Sequence, residues 1–299
     1  MARRRPRSTQ VTRERRIAAA RVRRADGLAE KGILDSAIVD YEKAAQLDGH
    51  NPDTRVKLGD AYLEAEMPRK AYMAYHKALK IHPRHAEAHF CLGEFYANIG
   101  RIRMAITAME KAVSCDPQRH WYALRLADMQ VLVGNLDQAR LGYEQAAELA
   151  PTEGYYRYKL AEFYMRIREF PAAVAEYEQA VRCAPVDDFY CARLGAAYVR
   201  QNALEQARAA LDRASRIAPD NPVYRYALAD IMLLSAQDEP AEAAYALVGP
   251  LDEYHSDCLR RWRSRAGIAV LGEIGLLPAS LSDPEAAFEE DEGPSRRAQ

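Results

Sequence analysis

The sequence predicts an all-α solenoid of seven helix-turn-helix repeats followed by one more helix, and three observations predict it. A 34-residue period runs without insertion or deletion from residue 12 to residue 253. Its second-helix alanine recurs as Ala37, Ala71, Ala105, Ala139, Ala173, Ala207 and Ala241. Two further columns keep step with it: the largely aromatic Tyr41, Tyr75, Met109, Tyr143, Tyr177, Leu211 and Tyr245, and the small Ala44, Ala78, Ala112, Ala146, Ala180, Ala214 and Val248.

The unit Ala86–Arg119 shows why each repeat is a pair of helices. Phe90, Leu92, Gly93, Tyr96 and Ala97 fall mostly on one face of a first helix, which stops near Asn98-Gly100. Ile102, Ala105, Ile106, Met109, Ala112 and Val113 repeat the pattern in a second, and Asp116-Pro117 closes it because the residue before proline is pushed out of the helical region. The same proline recurs as Pro83, Pro151, Pro185 and Pro219. Gly93 within the first helix gives up roughly 1 kcal/mol relative to alanine, which predicts a second helix packed too close for a side chain. Small residues hold that position throughout, as Ala25, Gly59, Gly93, Ala127, Ala161, Gly195 and Ala229. Two short amphipathic helices cannot bury their apolar faces alone, so the units must stack.

Taken in order, residues 1–11 are a basic arm poor in apolar residues and expected to be disordered. The first helix is expected from Thr12, through Ile17, Ala20, Val22 and Leu28, to Lys31-Gly32. Residues 12–253 hold the seven repeats. Residues 254–277 predict a capping helix with Leu259, Trp262, Ala266, Val270 and Ile274 on one face and Arg260, Arg261, Arg263 and Arg265 coating the other. Residues 278–299 form an acidic tail with six acids and two arginines, also expected to be disordered.

These columns resemble the tetratricopeptide repeat, whose marks are Leu-Gly-x-x-Tyr, alanine, an aromatic and proline at a 34-residue period. Leu58-Gly59 with Tyr62, Leu92-Gly93 with Tyr96 and Leu194-Gly195 with Tyr198 carry the resemblance, and Leu160-Ala161 with Tyr164 nearly does. It spans Ala18 to Glu253 and weakens at the ends, where Arg24, Gly49 and Glu253 replace the leucine and prolines. The resemblance implies a right-handed superhelix whose first helices line a concave groove, and a non-enzymatic scaffold or adaptor that binds a protein or peptide partner there.

Composition excludes other classes. No run approaches the ~18 uninterrupted apolar residues of a membrane span, and no apolar stretch follows the basic N-terminus as in a secretory signal. Five scattered cysteines, an odd number, favour reduced thiols and a cytoplasmic location. Net charge is −1, but residues 1–24 carry ten arginines and one acid, +9, which leaves −10 on the rest.

Two columns of first-helix residues are candidates for a peptide-binding groove. One is acidic in six of seven repeats: Asp26, Asp60, Glu94, Asp128, Glu162, Ala196, Asp230. A ladder of carboxylates favours a basic ligand; alternatively, Lys57, Arg125 and Lys159, each three residues before an acid, neutralise it locally. The other is apolar: Trp121, Tyr155, Phe189 and Val223, with Phe90, Leu124, Tyr158 and Tyr226 one turn along. It is either a peptide-anchoring surface or packing between repeats, and the neighbouring Tyr122, Tyr156, Tyr190 and Tyr224 read as core. Acids at the positions where clamp-type members of the resembled family place asparagine disfavour a carboxylate-terminated ligand.

His82, His85, His89 and Cys91 cluster within ten residues, but no Cys-x-x-Cys completes a metal site. No phosphate loop or nucleophile motif is present, so neither a cofactor nor an enzymatic activity is expected. The arm arginines Arg3, Arg4, Arg5, Arg7, Arg13, Arg15 and Arg16 carry the alternative reading, attachment to nucleic acid or an anionic surface. They also fit a targeting segment, a partner for the acidic groove or tail, or a solubilising extension.

Overall fold

A computed structural model describes residues 7–248 and 250–268, and among them there are fifteen helices and no strand. The helices come in two compact units. The first holds four pairs: α1 (Arg7–Ala29) with α2 (Leu34–Leu47), α3 (Pro52–Glu64) with α4 (Pro68–Ile81), α5 (Ala86–Asn98) with α6 (Ile102–Cys115), and α7 (His120–Leu132) with α8 (Leu136–Leu149). The second holds α9 (Gly154–Arg166) with α10 (Phe170–Cys183), α11 (Asp188–Arg200) with α12 (Leu204–Ile217), α13 (Pro222–Leu234) with α14 (Asp238–Val248), and a single helix α15 (Glu253–Ala266). Succession of paired helices at the predicted period is the tetratricopeptide architecture.

The turn inside each pair is as periodic as the helices. Left-handed backbone recurs every 34 residues at Gly32, Glu66, Gly100, Gly134, Arg168, Asn202 and Ala236. Only three of these are glycine, so the turn geometry is imposed by the helices it joins. Between pairs, the second helix ends on a residue pushed out of the helical region by the proline after it, as at His82 and Asp116. Asn51, His85, Asp187 and Asn221 then cap the next first helix with a side-chain acceptor.

The core of each unit is centred on the aromatic column of the second helices. Tyr75 and Met109 in the first unit, and Tyr177 and Leu211 in the second, are among the largest fully buried side chains. The small first-helix residues are what admit them. A Cβ on Gly59 would stand 2.3 Å from the Tyr75 ring, and one on Gly93 2.6 Å from Met109 Cγ.

Two boundaries differ from expectation. Helix α1 begins at Arg7 and not at Thr12, because extending an established helix adds a hydrogen bond per residue without a new nucleus. Helix α15 ends at Ala266, where Gly267 adopts φ 75° and its amide donates to the Ser264 carbonyl. Residues 269–277 of the expected helix and the acidic tail lie outside the described residues.

Candidate first-helix binding faces

The acidic column is tied to the aromatic column fifteen residues on. Tyrosine hydroxyls donate to it in both units: Tyr41 to Asp26 at 2.7 Å, Tyr75 to Asp60 at 2.7 Å and Tyr143 to Asp128 at 2.6 Å in the first, Tyr177 to Glu162 and Tyr245 to Asp230 in the second. Burial, then the neighbouring carboxylate, pushes the hydroxyls of Tyr41, Tyr75, Tyr177 and Tyr245 up, so each stays a donor. Where the tyrosine is lost the set changes with it: repeat three pairs Glu94 with Met109, and repeat six replaces both members, with Ala196 and Leu211.

A cation from the next first helix supplies the third member. Lys57 lies 2.8 Å from Asp26, thirty-one residues away, and Arg125 grips Glu94 through two hydrogen bonds of 3.0 and 2.9 Å at the same spacing. Neutralisation therefore crosses from repeat to repeat. The expected pairing three residues along one helix is seen in the longer Arg125–Asp128 contact of 3.5 Å. Asp60 is the exception: Cys91 stands where the cation would be, and among the described residues no ion pair reaches this carboxylate. Burial pushes its carboxyl up, against the hydrogen bond from Tyr75.

In the second unit the face of α11 and α13 is occupied by the chain itself. Helix α15 packs on both. Leu259, Trp262, Arg263 and Ala266, at helical spacing, are all buried. The Trp262 indole Nε1 donates to the Ala192 carbonyl of α11 at 3.0 Å. Arg263 Nε and Nη2 each lie 2.7 Å from an oxygen of Asp230, whose carboxylate is 0% exposed. Arg265 Nη2 reaches Glu162 at 3.2 Å. Ala192 and Ala196, both buried, leave room for this helix, so the gap in the acidic column belongs to its seat. The picture of α15 as a solvating cap with its arginines on the outer face is thus corrected. Arg263 is internal, where it neutralises buried Asp230 from the helix lying over it.

The aromatic column divides by depth. Trp121 in the first unit and Tyr155 in the second are 39% and 40% exposed. Phe90 is half-buried and stacks on Tyr122 at 4.7 Å. In the second unit Phe189 lies 5.3 Å from the Tyr158 ring and under the Arg193 guanidinium at 4.5 Å. Leu124, Tyr158, Val223, Tyr226 and Asp230 are buried; they shape the faces from beneath and present no surface. The neighbours Tyr122, Tyr156 and Tyr224 are buried as well, and Tyr190 partly so.

The basic arm is partly helix. Arg13, Arg15 and Arg16 are exposed on α1, and Arg15 comes within 3.9 Å of Asp48. Half-buried Arg21 at 2.8 Å and exposed Arg24 both hydrogen-bond buried Asp40. Arg3, Arg4 and Arg5 lie outside the described residues, as does the side chain of Arg7. The histidines are held by local contacts: His85 caps α5 and lies 2.7 Å from Asp53, and His89 lies 2.9 Å from the Pro83 carbonyl. Among the described residues no three potential ligands stand together as a metal group, and no helix is long and apolar enough to cross a membrane.

Residues 30–112 match the family profile of subunit 3 of the anaphase-promoting complex (cyclosome), and residues 124–188 and 190–221 match tetratricopeptide-repeat profiles. No curated protein matches the chain. Among solved structures, the C-terminal part of a tetratricopeptide repeat-containing protein from Cytophaga hutchinsonii is similar at TM-score 0.66 and 16% identity, over 80% of this chain and 99% of that one. PilF of Pseudomonas aeruginosa is similar at TM-score 0.57 and 19% identity, over 69% and 94%. At these identities the likeness is one of fold.

Proposed function

This chain is a tetratricopeptide-repeat protein, and we propose that it is a non-enzymatic adaptor that binds a peptide segment on the faces of its first helices. Members of the family generally mediate protein–protein interaction, using the extended surfaces that stacked repeats create. The observation that carries the reading is α15: in the second unit this face already holds an amphipathic helix through a buried indole and a buried arginine. In the first unit the equivalent surface carries exposed Trp121 on α7 and half-buried Phe90 on α5. An aromatic held on a rigid helix supplies large contact area with little rotamer entropy to lose. On this reading the acids Glu94 and Asp128 bind the repeats together and orient the surface, because Arg125 and Tyr143 already engage them.

The test is selection of short displayed peptides on the full chain, followed by affinities on variants. Trp121→Ala is expected to weaken the peptides bound by the first unit by tenfold or more, the effect of an interface hot spot of ~2 kcal/mol. Selected peptides that all bind the variant as tightly as the parent would remove Trp121 from the site.

A further inference from the structure

We infer that the seat beneath α15 is a docking site for an amphipathic helix of a partner protein, and that α15 is a resident ligand which such a helix displaces. This deepens the reading above for the second unit only. A partner on the first unit neither needs nor disturbs α15, so the two readings fail separately.

The seat defines its occupant. Leu259, Trp262 and Ala266 form the apolar stripe of the resident, and the indole is fixed by its bond to the Ala192 carbonyl. Asp230 sits fully buried at the base and takes a bidentate guanidinium. Removing one member of such a pair strands a desolvated charge, so an occupant that fails to return a guanidinium binds ~10²-fold or more weakly. Glu162 adds a second, more open acid for a cation two residues further on, the position Arg265 fills. The partner helix therefore carries leucine, then three residues later an aromatic followed directly by arginine, with a second cation two beyond.

The attachment of α15 suits exchange. Only residues 249–252 join it to α14, and among the described side chains of α14 Ala241 alone is buried while Leu247 is 86% exposed. Helix α14 itself stays on α13 through Tyr245, which donates to Asp230, so α15 can leave its seat on a short tether while α14 remains in place. Tyr254, in the first turn of α15, is also 72% exposed.

The experiment uses the full chain labelled with ¹⁵N and an unlabelled peptide of residues 253–268. The chain has two tryptophans, so the indole signals of Trp121 and Trp262 resolve the question directly. Added peptide is expected to move the Trp262 signal from its hydrogen-bonded position to that of a free indole, half-complete near millimolar concentration, the effective concentration of a short tether. In an Arg263→Gln chain the same displacement is expected at ~10-fold lower peptide or less. A peptide carrying glutamine at the position of Arg263 is expected to leave α15 in place on the parent chain over the same range. The titration of the parent needs no substitution, so a variant that misfolds leaves the test intact. A Trp262 signal unmoved at peptide tenfold above the millimolar range, or equal displacement by the glutamine peptide, would overturn the inference. Conversion of the chain to a dimer that exchanges α15 would overturn it too, by making a second copy the occupant.

Discussion

Asp26 in the first helix of this protein is held from two sides, by a tyrosine fifteen residues on and by a cation thirty-one residues on. Asp60 has the tyrosine and lacks the cation, which gives it a distinctive pH signature. Burial raises its folded-state value above the unfolded value of about 3.9. Ionised Asp60 therefore opposes folding at neutral pH, and that penalty fades as the pH falls through the raised value. Asp60→Asn, whose amide oxygen still accepts from Tyr75, is expected to be more stable than the parent in urea at pH 7, with the advantage shrinking towards pH 4. An advantage that stays constant with pH would show that charge is not its origin. Asp230 is the opposite case, a buried acid with its cation in place. Either Asp230→Ala or Arg263→Ala is expected to lose ~3–5 kcal/mol, and the double variant less than the sum of the two; denaturant midpoints check this. The acids themselves were legible in the sequence as a column. Their partners were legible in principle, since tyrosine and acid disappear together in repeat six, but a search along one helix for neighbours three residues away misses spacings of fifteen and thirty-one.

Helix pairs are set by how closely their backbones approach, and the first-helix glycines report that distance. Gly93 was readable as a close contact because glycine inside a helix is otherwise unfavourable. The contacts grade the effect: a Cβ at Gly59 meets an aromatic ring at 2.3 Å, whereas at Gly195 it meets the flexible Leu211 side chain at 3.0 Å. Gly59→Ala is expected to destabilise by ~1–2 kcal/mol, overpacking exceeding the gain in helix propensity, and Gly195→Ala by less; thermal melts of the two variants rank them. Helix α15 was legible as an element, but neither its end nor its place was. Its apolar spacing continues through Val270 and Ile274, which hides the stop at Gly267, where the backbone turns left-handed and a Cβ would meet Arg200 Nη1 at 2.2 Å. Its return to α11 and α13 is a contact of long sequence separation that periodicity cannot see. Four arginines within six residues read as a solvated face, when one of them answers an acid thirty-three residues upstream.

At the scale of the whole molecule, repetition makes the fold readable and the function local. Columns shared by all repeats build the stack; positions that break the columns, Cys91, Ala192 and Ala196, mark where one repeat differs from its relatives. In the second unit such a departure seats α15, and in the first the apolar column leaves the Trp121 indole in solvent. On the proposed reading these faces are the binding surfaces and the acids their internal ties. The most direct test is a pair of affinities for peptides selected on the first unit of the full chain, measured at low and high salt with the parent and with Trp121→Ala. A loss of tenfold or more with the variant and little dependence on salt is expected, since apolar contact is not screened. Affinity that collapses with salt and ignores Trp121 would contradict the proposed reading.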